Sequence, residues 1–409
     1  MNIVLAGFGQ EGKASYDYWN RDSNTLAIAS EQDTIEDAPN DARIITGPDA
    51  FANLSEFDLI IRSPGINPRK LPYPGKVWSA TNEFFEKCPA PIIGVTGTKG
   101  KGTTSSFIAS ILKAAGRTVH LVGNIGTPAL AELPKIGADD IVVYELSSFQ
   151  LWDAEKSPHI AVVLMIEPDH LDVHDDMDDY VNAKANIVRH QTSSDTVVFN
   201  TGNEISRLIA LRSDSQKAEY PFDLGDVAEA VRLPGAHNVD NASAAVAAVR
   251  EYVRDDEVLK RGLAGFSGLP HRLKFVAEKN GVKYYDDSIA TTPGSAIAAL
   301  ASFSEPKVLI LGGHDKGADY TELIESCART ATTVIAIGSN GPRIAELCRE
   351  ADVAVAEVTG GMSDIVREAA DIAQTGSVVI LSPAAASFDM FKSYSDRGDQ
   401  FVAAVNALG

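Results

Sequence analysis

The chain has 409 residues, room for about two to four domains, and with 44% hydrophobic and 22% charged residues it has an ordinary globular composition rather than a disordered one. Its formal net charge of -20 argues against nucleic acid and anionic membrane as partners, because both carry the same sign. Three cysteines without metal-ligand spacing, no apolar run long enough to span a bilayer, and an N-terminus that reads as strand and turn lead us to expect a protein of the reducing cytoplasm.

The opening Asn2-Ile3-Val4-Leu5-Ala6 reads as a strand running into Gly7-Phe8-Gly9-Gln10-Glu11-Gly12, the Gly-x-Gly-x-x-Gly turn of a Rossmann-like unit. Leu26 to Glu31 reads as the next strand, with Glu31 where a carboxylate accepts a ribose hydroxyl. Phe57 to Arg62 is another, ending in the turn Ser63-Pro64-Gly65-Ile66. This module of about eighty residues is small for a dinucleotide domain, so a mononucleotide-sized ligand fits it better. A scaffold turn without a ligand is the alternative.

Ile92 to Thr96 is an apolar strand entering Gly97-Thr98-Lys99-Gly100-Lys101-Gly102-Thr103-Thr104, after which Phe107 to Leu112 has helical spacing. Strand, glycine-rich turn and helix read as a phosphate loop, with a glycine-rich left-handed turn that binds no ligand as the alternative. Backbone N–H groups close around phosphate oxygens, the helix N-terminus faces them, Lys101 adds a charge, and Thr103 or Thr104 offers a hydroxyl to Mg²⁺. The match to the Walker pattern is imperfect, with Val95 at the first glycine position and Gly102 between Lys101 and Thr103.

Beyond it strands and helices alternate. Thr118 to Val122 leads into Gly123-Asn124, and Ile141 to Tyr144 ends on Glu145, a candidate Mg²⁺ ligand at the carboxyl end of a parallel strand. Ile160 to Ile166 reads as a strand ending in Glu167-Pro168-Asp169-His170-Leu171-Asp172-Val173-His174, whose two histidines and carboxylates suggest a second cation site. In the following helix Tyr180, Ala183, Ile187 and Val188 have core spacing, and Lys184 reads as solvated. Asn238 and Asn241 share a face of a small-residue helix, and capping explains only one of them. After the turn-rich stretch around Gly268-Leu269-Pro270-His271-Arg272 a new α/β alternation begins. Its strand ends carry Gly312-Gly313-His314-Asp315-Lys316-Gly317 and Ser382 to Asp389.

Taken in this order, the motifs resemble the Mur ligase family along nearly the whole chain. The phosphate loop, Glu145-Leu146-Ser147-Ser148-Phe149-Gln150-Leu151, Asp169-His170-Leu171-Asp172, His237-Asn238-Val239-Asp240-Asn241 and Gly268 to Arg272 follow its succession. Leu381 to Lys392 with Asp396-Arg397-Gly398-Asp399 is similar to the D-glutamate-adding branch. The expected architecture is α/β in three domains: a small Rossmann-like UDP-sugar domain at 1–86, a central P-loop-type ATPase domain with a mostly parallel sheet at 87–268, and a Rossmann-like amino-acid domain at 269–409.

The resemblance implies an ATP-dependent, ADP-forming acid–amino-acid ligase of peptidoglycan precursor synthesis. ATP phosphorylates the carboxylate of UDP-N-acetylmuramoyl-L-alanine, and the amine of D-glutamate attacks the acyl phosphate. The partners it implies are those small molecules and Mg²⁺, around a monomer. It places ATP on Gly97, Thr98, Lys99, Gly100, Lys101, Gly102, Thr103, Thr104, Asn238, Asn241 and Arg272. One Mg²⁺ falls to Thr103 and Glu145, and a second to His170 and a carbamylated Lys184; Lys101, His170 and Lys184 are the catalytic set. Gln10 and Glu11 lie beside the UDP-sugar diphosphate, Glu31 near its uridine, and Asn124 on the same substrate. Lys316, Ser387 and Phe388 form the D-glutamate pocket, bordered by Tyr394.

The chain departs from the family pattern at Ile289, where Asp-Ser-Lys-Ala-Thr-Asn is usual, and at Gly102, a feature shared with folylpolyglutamate synthetases. A cysteine often found near Ala385 is missing. A related ligase with another acceptor and a catalytically silent nucleotide-binding homologue are the alternative readings.

Overall fold

The computed structural model describes every residue except Asp22, Glu36, Asp41 and Ile125. The chain divides into two compact units, residues 1–231 with 239–266, and residues 232–238 with 267–409.

The first unit holds two sheets. The first comprises β1 (Asn2–Ala6), β2 (Thr25–Ser30), β3 (Arg43–Thr46), β4 (Leu59–Arg62) and β5 (Val77–Ser79), in the order β3-β2-β1-β4-β5 and parallel throughout. Helices α1 (Gln10–Trp19) and α2 (Ala80–Lys87) accompany it. The second sheet has the order β11-β10-β9-β6-β8-β7 and is also parallel. Its strands are β6 (Ile92–Thr96), β7 (Val119–Gly123), β8 (Ile141–Glu145), β9 (Ile160–Val163), β10 (Thr196–Asn200) and β11 (Gln216–Tyr220). The helices here are α3 (Lys101–Ala114), α4 (Ala129–Glu132), α5 (Ser148–Leu151), α6 (Met177–Arg189), α7 (Glu204–Ala210), α8 (Ala236–Val249) and α9 (Asp256–Gly265). Residues of α8 up to Asn238 belong to the second unit. One continuous core, running from Ile3 and Phe84 to Tyr144, Val163 and Ile209, joins the two sheets.

Near-continuous Val and Ile runs make β6, β8 and β9 buried on both faces, as a parallel sheet covered by helices requires. Because β6 lies between β8 and β9, its carboxyl end opens at the point where the connections diverge, the usual ligand crevice of such sheets. The expected strand at 160–166 stops at Val163. Beyond it the backbone turns to the phosphate loop, where Thr98 N donates to the Met165 carbonyl at 2.8 Å.

In the second unit the order is β12-β13-β17-β14-β15-β16, with the edge strand β12 antiparallel and the rest parallel. The strands are β12 (Lys274–Lys279), β13 (Val282–Asp286), β14 (Lys307–Gly312), β15 (Thr333–Ile337), β16 (Val355–Glu357) and β17 (Val378–Leu381). The helices are α10 (Pro293–Ala301), α11 (Thr321–Arg329), α12 (Gly341–Glu350), α13 (Met362–Ile372) and α14 (Tyr394–Asn406), with separate apolar clusters packed on the two faces of the sheet. The architecture is thus α/β with mostly parallel sheets, as the strand-and-helix alternation leads one to expect. Among the described residues no helix is long and apolar enough to cross a membrane.

Candidate active site

The phosphate loop leaves the central strand β6 and turns into α3 at Gly100, which caps the helix in the left-handed conformation with φ 84°. A Cβ on Gly100 would stand 2.4 Å from Asn241 Oδ1, so only glycine admits the close approach of α8. Asn241 Oδ1 also accepts from Thr104 Oγ1 at 3.4 Å. Asn241 therefore lies against the loop, while Asn238, in the second unit, is buried and donates to the Pro234 carbonyl at 2.6 Å. Thr103 is buried on the first turn of α3. Lys99 is exposed and pairs with Glu167 at 3.1 Å.

Lys101 folds back, donating to the carbonyls of Gly97 and Thr98, each at 3.0 Å. Lys184 contradicts the solvated reading of its helix position: it is 1% exposed, because α6 presents Lys184 to the phosphate loop while Ala183 packs in the core. Its Nζ donates to the Gly97 carbonyl at 2.9 Å and lies 4.6 Å from the centre of the Tyr180 ring. Burial, and second the nearby Lys101 ammonium, push the Lys184 amine well below the ordinary lysine range, against the opposite pull of Asp169 and Glu145. Tyr180 OH in turn lies 2.9 Å from Thr98 Oγ1.

Glu145 ends β8, beside Val95 on one flank and Gly123 on the other. It is 4% exposed; Oε1 accepts from Asn124 Nδ2 at 3.1 Å, and Oε2 is buried without a hydrogen-bond partner among the described residues. An orphaned carboxylate oxygen is costly to bury and suits a hard, oxygen-seeking cation. The buried Thr103 hydroxyl is another oxygen donor of the kind Mg²⁺ takes. Lys184 supplies no ligand as an amine.

The expected second cation site is corrected in one part. His170 sits in the left-handed region, φ 54°, with an exposed side chain 3.5 Å from Asp169 Oδ2 and its ring 4.9 Å from Phe149. His174 is turned inward: its Nδ1 bonds Asp179 Oδ2 at 2.9 Å and its Nε2 bonds Ser148 Oγ at 3.0 Å, and its ring packs against those of Phe149 and Trp152. Both His174 nitrogens are therefore occupied by protein, and no group of three His, Cys, Asp or Glu side chains among the described residues could hold a metal.

Near the first glycine turn, Gln10 is exposed at the start of α1, and Glu31 is ion-paired with Lys70 at 2.6 Å. Glu11 points inward, accepting from Gln150 Nε2 at 2.5 Å; burial raises its carboxyl above the usual range.

In the second unit the carboxyl ends of β13, β14 and β17 gather three loops. His314 bridges to Ala386, Ser387 is buried, and Lys316, Phe388 and Tyr394 are exposed. Arg272 is exposed, beside a His271 whose Nδ1 bonds Asp286 Oδ2 at 2.7 Å. Gly398 is needed for that histidine, since a Cβ there would fall 2.1 Å from His271 Nδ1. Ile289 is half-buried, its N–H donating to the His271 carbonyl at 3.0 Å. Two groups that carry no role in the sequence reading stand out here. Asp287, accepting from Ser382 Oγ at 2.7 Å and Leu273 N at 3.0 Å, is pushed up to about 7 chiefly by burial. Arg397 is wholly buried, donating to Ser288 Oγ at 2.9 Å and to the Ser288 and Ala385 carbonyls at 2.8 and 3.1 Å; burial lowers its guanidinium to about 10. The only sequence signal for Arg397 is its place in Asp396-Arg397-Gly398-Asp399.

Comparison with known proteins places these elements in context. Residues 95–226 match the Mur ligase middle domain, and residues 271–385 the Mur ligase glutamate ligase domain. A UDP-N-acetylmuramoylalanine--D-glutamate ligase of Acetivibrio thermocellus is 38% identical over 406 residues, covering 90% of this chain and 86% of that protein. The enzyme of the same name from Clostridium kluyveri is 36% identical, covering 89% and 86%. Among solved structures, UDP-N-acetylmuramate-alanine ligase MurC from Thermotoga maritima superposes with a TM-score of 0.62 at 18% identity, over 100% of this chain and 99% of that one. MurF from Acinetobacter baumannii superposes with a TM-score of 0.61 at 18% identity, over 85% of each chain. At such identities the two structures speak for the fold alone.

Proposed function

The chain belongs to the Mur ligase family, and we propose that it is the member that joins D-glutamate to UDP-N-acetylmuramoyl-L-alanine at the expense of ATP, in peptidoglycan precursor synthesis. The ligases named for that reaction align along most of the chain. We assign residues 1–86 to the UDP-sugar, 87–268 to ATP and 269–409 to D-glutamate.

The observation that carries the reading is the convergence of Lys101 and Lys184 on the Gly97 carbonyl. One lysine suffices for a phosphate loop that only binds nucleotide, so a second, buried lysine on the same carbonyl supports chemistry beyond nucleotide binding. In the proposed reaction a carboxylate oxygen of the alanyl group attacks the γ-phosphorus, the P–O bond to ADP breaks, and an acyl phosphate forms. The D-glutamate amine then attacks the acyl carbon, phosphate leaves, and the amine loses a proton. Bringing anions together is the difficulty, and Lys101 with the N-terminus of α3 offsets it while the loop fixes the in-line approach. Bound Mg²⁺ would screen the phosphate charge, held by Thr103 and Glu145. His170 and Lys184 are assigned to a second ion.

The Lys184 assignment rests on its chemistry. Burial and the neighbouring Lys101 make the Lys184 proton easier to lose, and the free amine is a nucleophile for CO₂; the new C–N bond and loss of a proton leave a carbamate, which turns a cation into an oxygen donor. Arg272, Asn238 and Asn241 are assigned to ATP, Gln10, Glu11, Glu31 and Asn124 to the UDP-sugar, and Lys316, Ser387, Phe388 and Tyr394 to D-glutamate. One observation favours a second reading, a different amino-acid acceptor: half-buried Ile289 stands where the family pattern has lysine. The test of the main reading is ADP release with ATP, Mg²⁺, UDP-N-acetylmuramoyl-L-alanine and D-glutamate. Release that needs both the UDP-sugar and the amino acid supports it; release independent of either refutes it.

A further inference from the structure

Arg62, the last residue of β4, is buried with a side chain 0% exposed, and its guanidinium bonds in two directions. Toward the second sheet, Nε and Nη2 hold the two carboxylate oxygens of Asp153 at 2.7 and 2.5 Å, and Nη2 also donates to the Phe149 carbonyl at 2.9 Å. Toward the first, Nη1 faces the carbonyls of Ser63, Pro64 and Ile66 at 3.3, 3.2 and 3.0 Å. Both ends are anchored. Asn82 holds the Asp153 carbonyl at 2.9 Å and accepts from Glu155 N at 2.9 Å. Ser63 Oγ donates to the Gly7 carbonyl at 2.8 Å, tying the turn to the glycine-rich start of α1. Phe149 continues the chain of contacts, since its ring packs 4.9 Å from His170 and stacks at 5.5 Å on His174.

A buried ion pair adds little net stability over apolar packing, but its geometry is demanding, because each unmet donor or acceptor is costly. Only a planar fork of five donors serves these carboxylate and carbonyl acceptors together; a lysine offers a single point. We propose that Arg62, held by Asp153, is a positioning residue that sets the 63–66 turn against the segment 149–153, and so registers the UDP-sugar side of the site with the side that carries His170. This rests on the functional reading above for the identity of the substrate. Arg62 touches no reacting atom; it acts through the turn and through Phe149.

The test compares wild type with Arg62→Lys, which keeps the charge and loses the fork, and Asp153→Asn, which keeps the shape and loses one charge. The expected result is a KM for UDP-N-acetylmuramoyl-L-alanine raised about tenfold or more, the scale of a charged hydrogen bond, with the KM for ATP moved less than about twofold. A purely structural role would lower the thermal midpoint and the active fraction and leave both KM values alone. Amide exchange on the ligand-free wild type supplies a measurement independent of the variants. The Ser63 and Ile66 amides, bonded to the carbonyls of Ala6 and Ser63, are expected to be protected before any ligand is added. Unchanged or equally shifted KM values, or Ser63 and Ile66 amides exchanging as fast as that of exposed Gly65, would overturn the proposal. If the wild type turns over no UDP-sugar, the functional reading fails, and the exchange measurement still decides whether the turn is held in advance.

Discussion

Lys184 and Lys101 donate to one oxygen, the Gly97 carbonyl, at 2.9 and 3.0 Å. Two ammonium groups so placed repel each other, and the buried one yields its proton more readily. Activity is therefore expected to fall in buffer stripped of CO₂ and to recover on adding bicarbonate. A carbamate carbon signal from ¹³C-bicarbonate should appear in wild type and vanish in Lys184→Ala. Full activity in CO₂-free buffer would count against the carbamate.

Lys101, on the phosphate loop, is proposed to meet the γ-phosphate, and alanine there removes that charge. A drop in kcat on the order of a hundredfold or more is expected, with the fold kept by circular dichroism. A variant within about threefold of wild type would remove Lys101 from the mechanism.

Asn124 Nδ2 holds Glu145 Oε1 at 3.1 Å, and Oε2 has no hydrogen-bond partner among the described residues. Loss of that support in Asn124→Ala should raise the Mg²⁺ concentration for half-maximal activity by about tenfold, and Glu145→Gln by more. Titration of activity with MgCl₂ reads both, and an unchanged midpoint in Glu145→Gln would exclude it as a ligand.

Gly100→Ala places a side chain at φ 84° and 2.4 Å from Asn241 Oδ1. The strain of the left-handed conformation is about 1–2 kcal/mol, so chemical denaturation should show a loss of that order or more, together with weaker ATP binding as Asn241 is displaced.

Asp287 has a pKa raised from 3.8 to about 7. The folded state then binds a proton that the unfolded state has lost, so stability falls as pH rises through that window, by up to about 1.4 kcal/mol per pH unit. The contribution is complete below the unfolded value and gone above about 7. Asp287→Asn should flatten the thermal midpoint against pH between those limits, and an unchanged slope would assign it to other groups.

The phosphate loop and Glu145 were legible because their residues are local: glycines in a fixed order, an acid at the end of an apolar run. Lys184 was legible only through the family resemblance. Helical spacing puts it beside the core residue Ala183, and its burial depends on a loop 87 positions earlier in the chain. His170 and His174 share one stretch of sequence, yet Ser148 and Asp179 take His174 out of any metal site. Arg62 looked like an ordinary strand end. Its partner Asp153 lies 91 residues away, and no periodicity marks such a pair.

The acceptor amino acid decides the proposed function. Wild-type protein with ATP, Mg²⁺ and UDP-N-acetylmuramoyl-L-alanine, offered D-glutamate, L-glutamate, L-alanine, L-lysine and meso-diaminopimelate in separate reactions, is read by the mass of the UDP-linked product. One new product is expected, the D-glutamate amide, formed in step with ADP. A product with another amino acid and none with D-glutamate would contradict it.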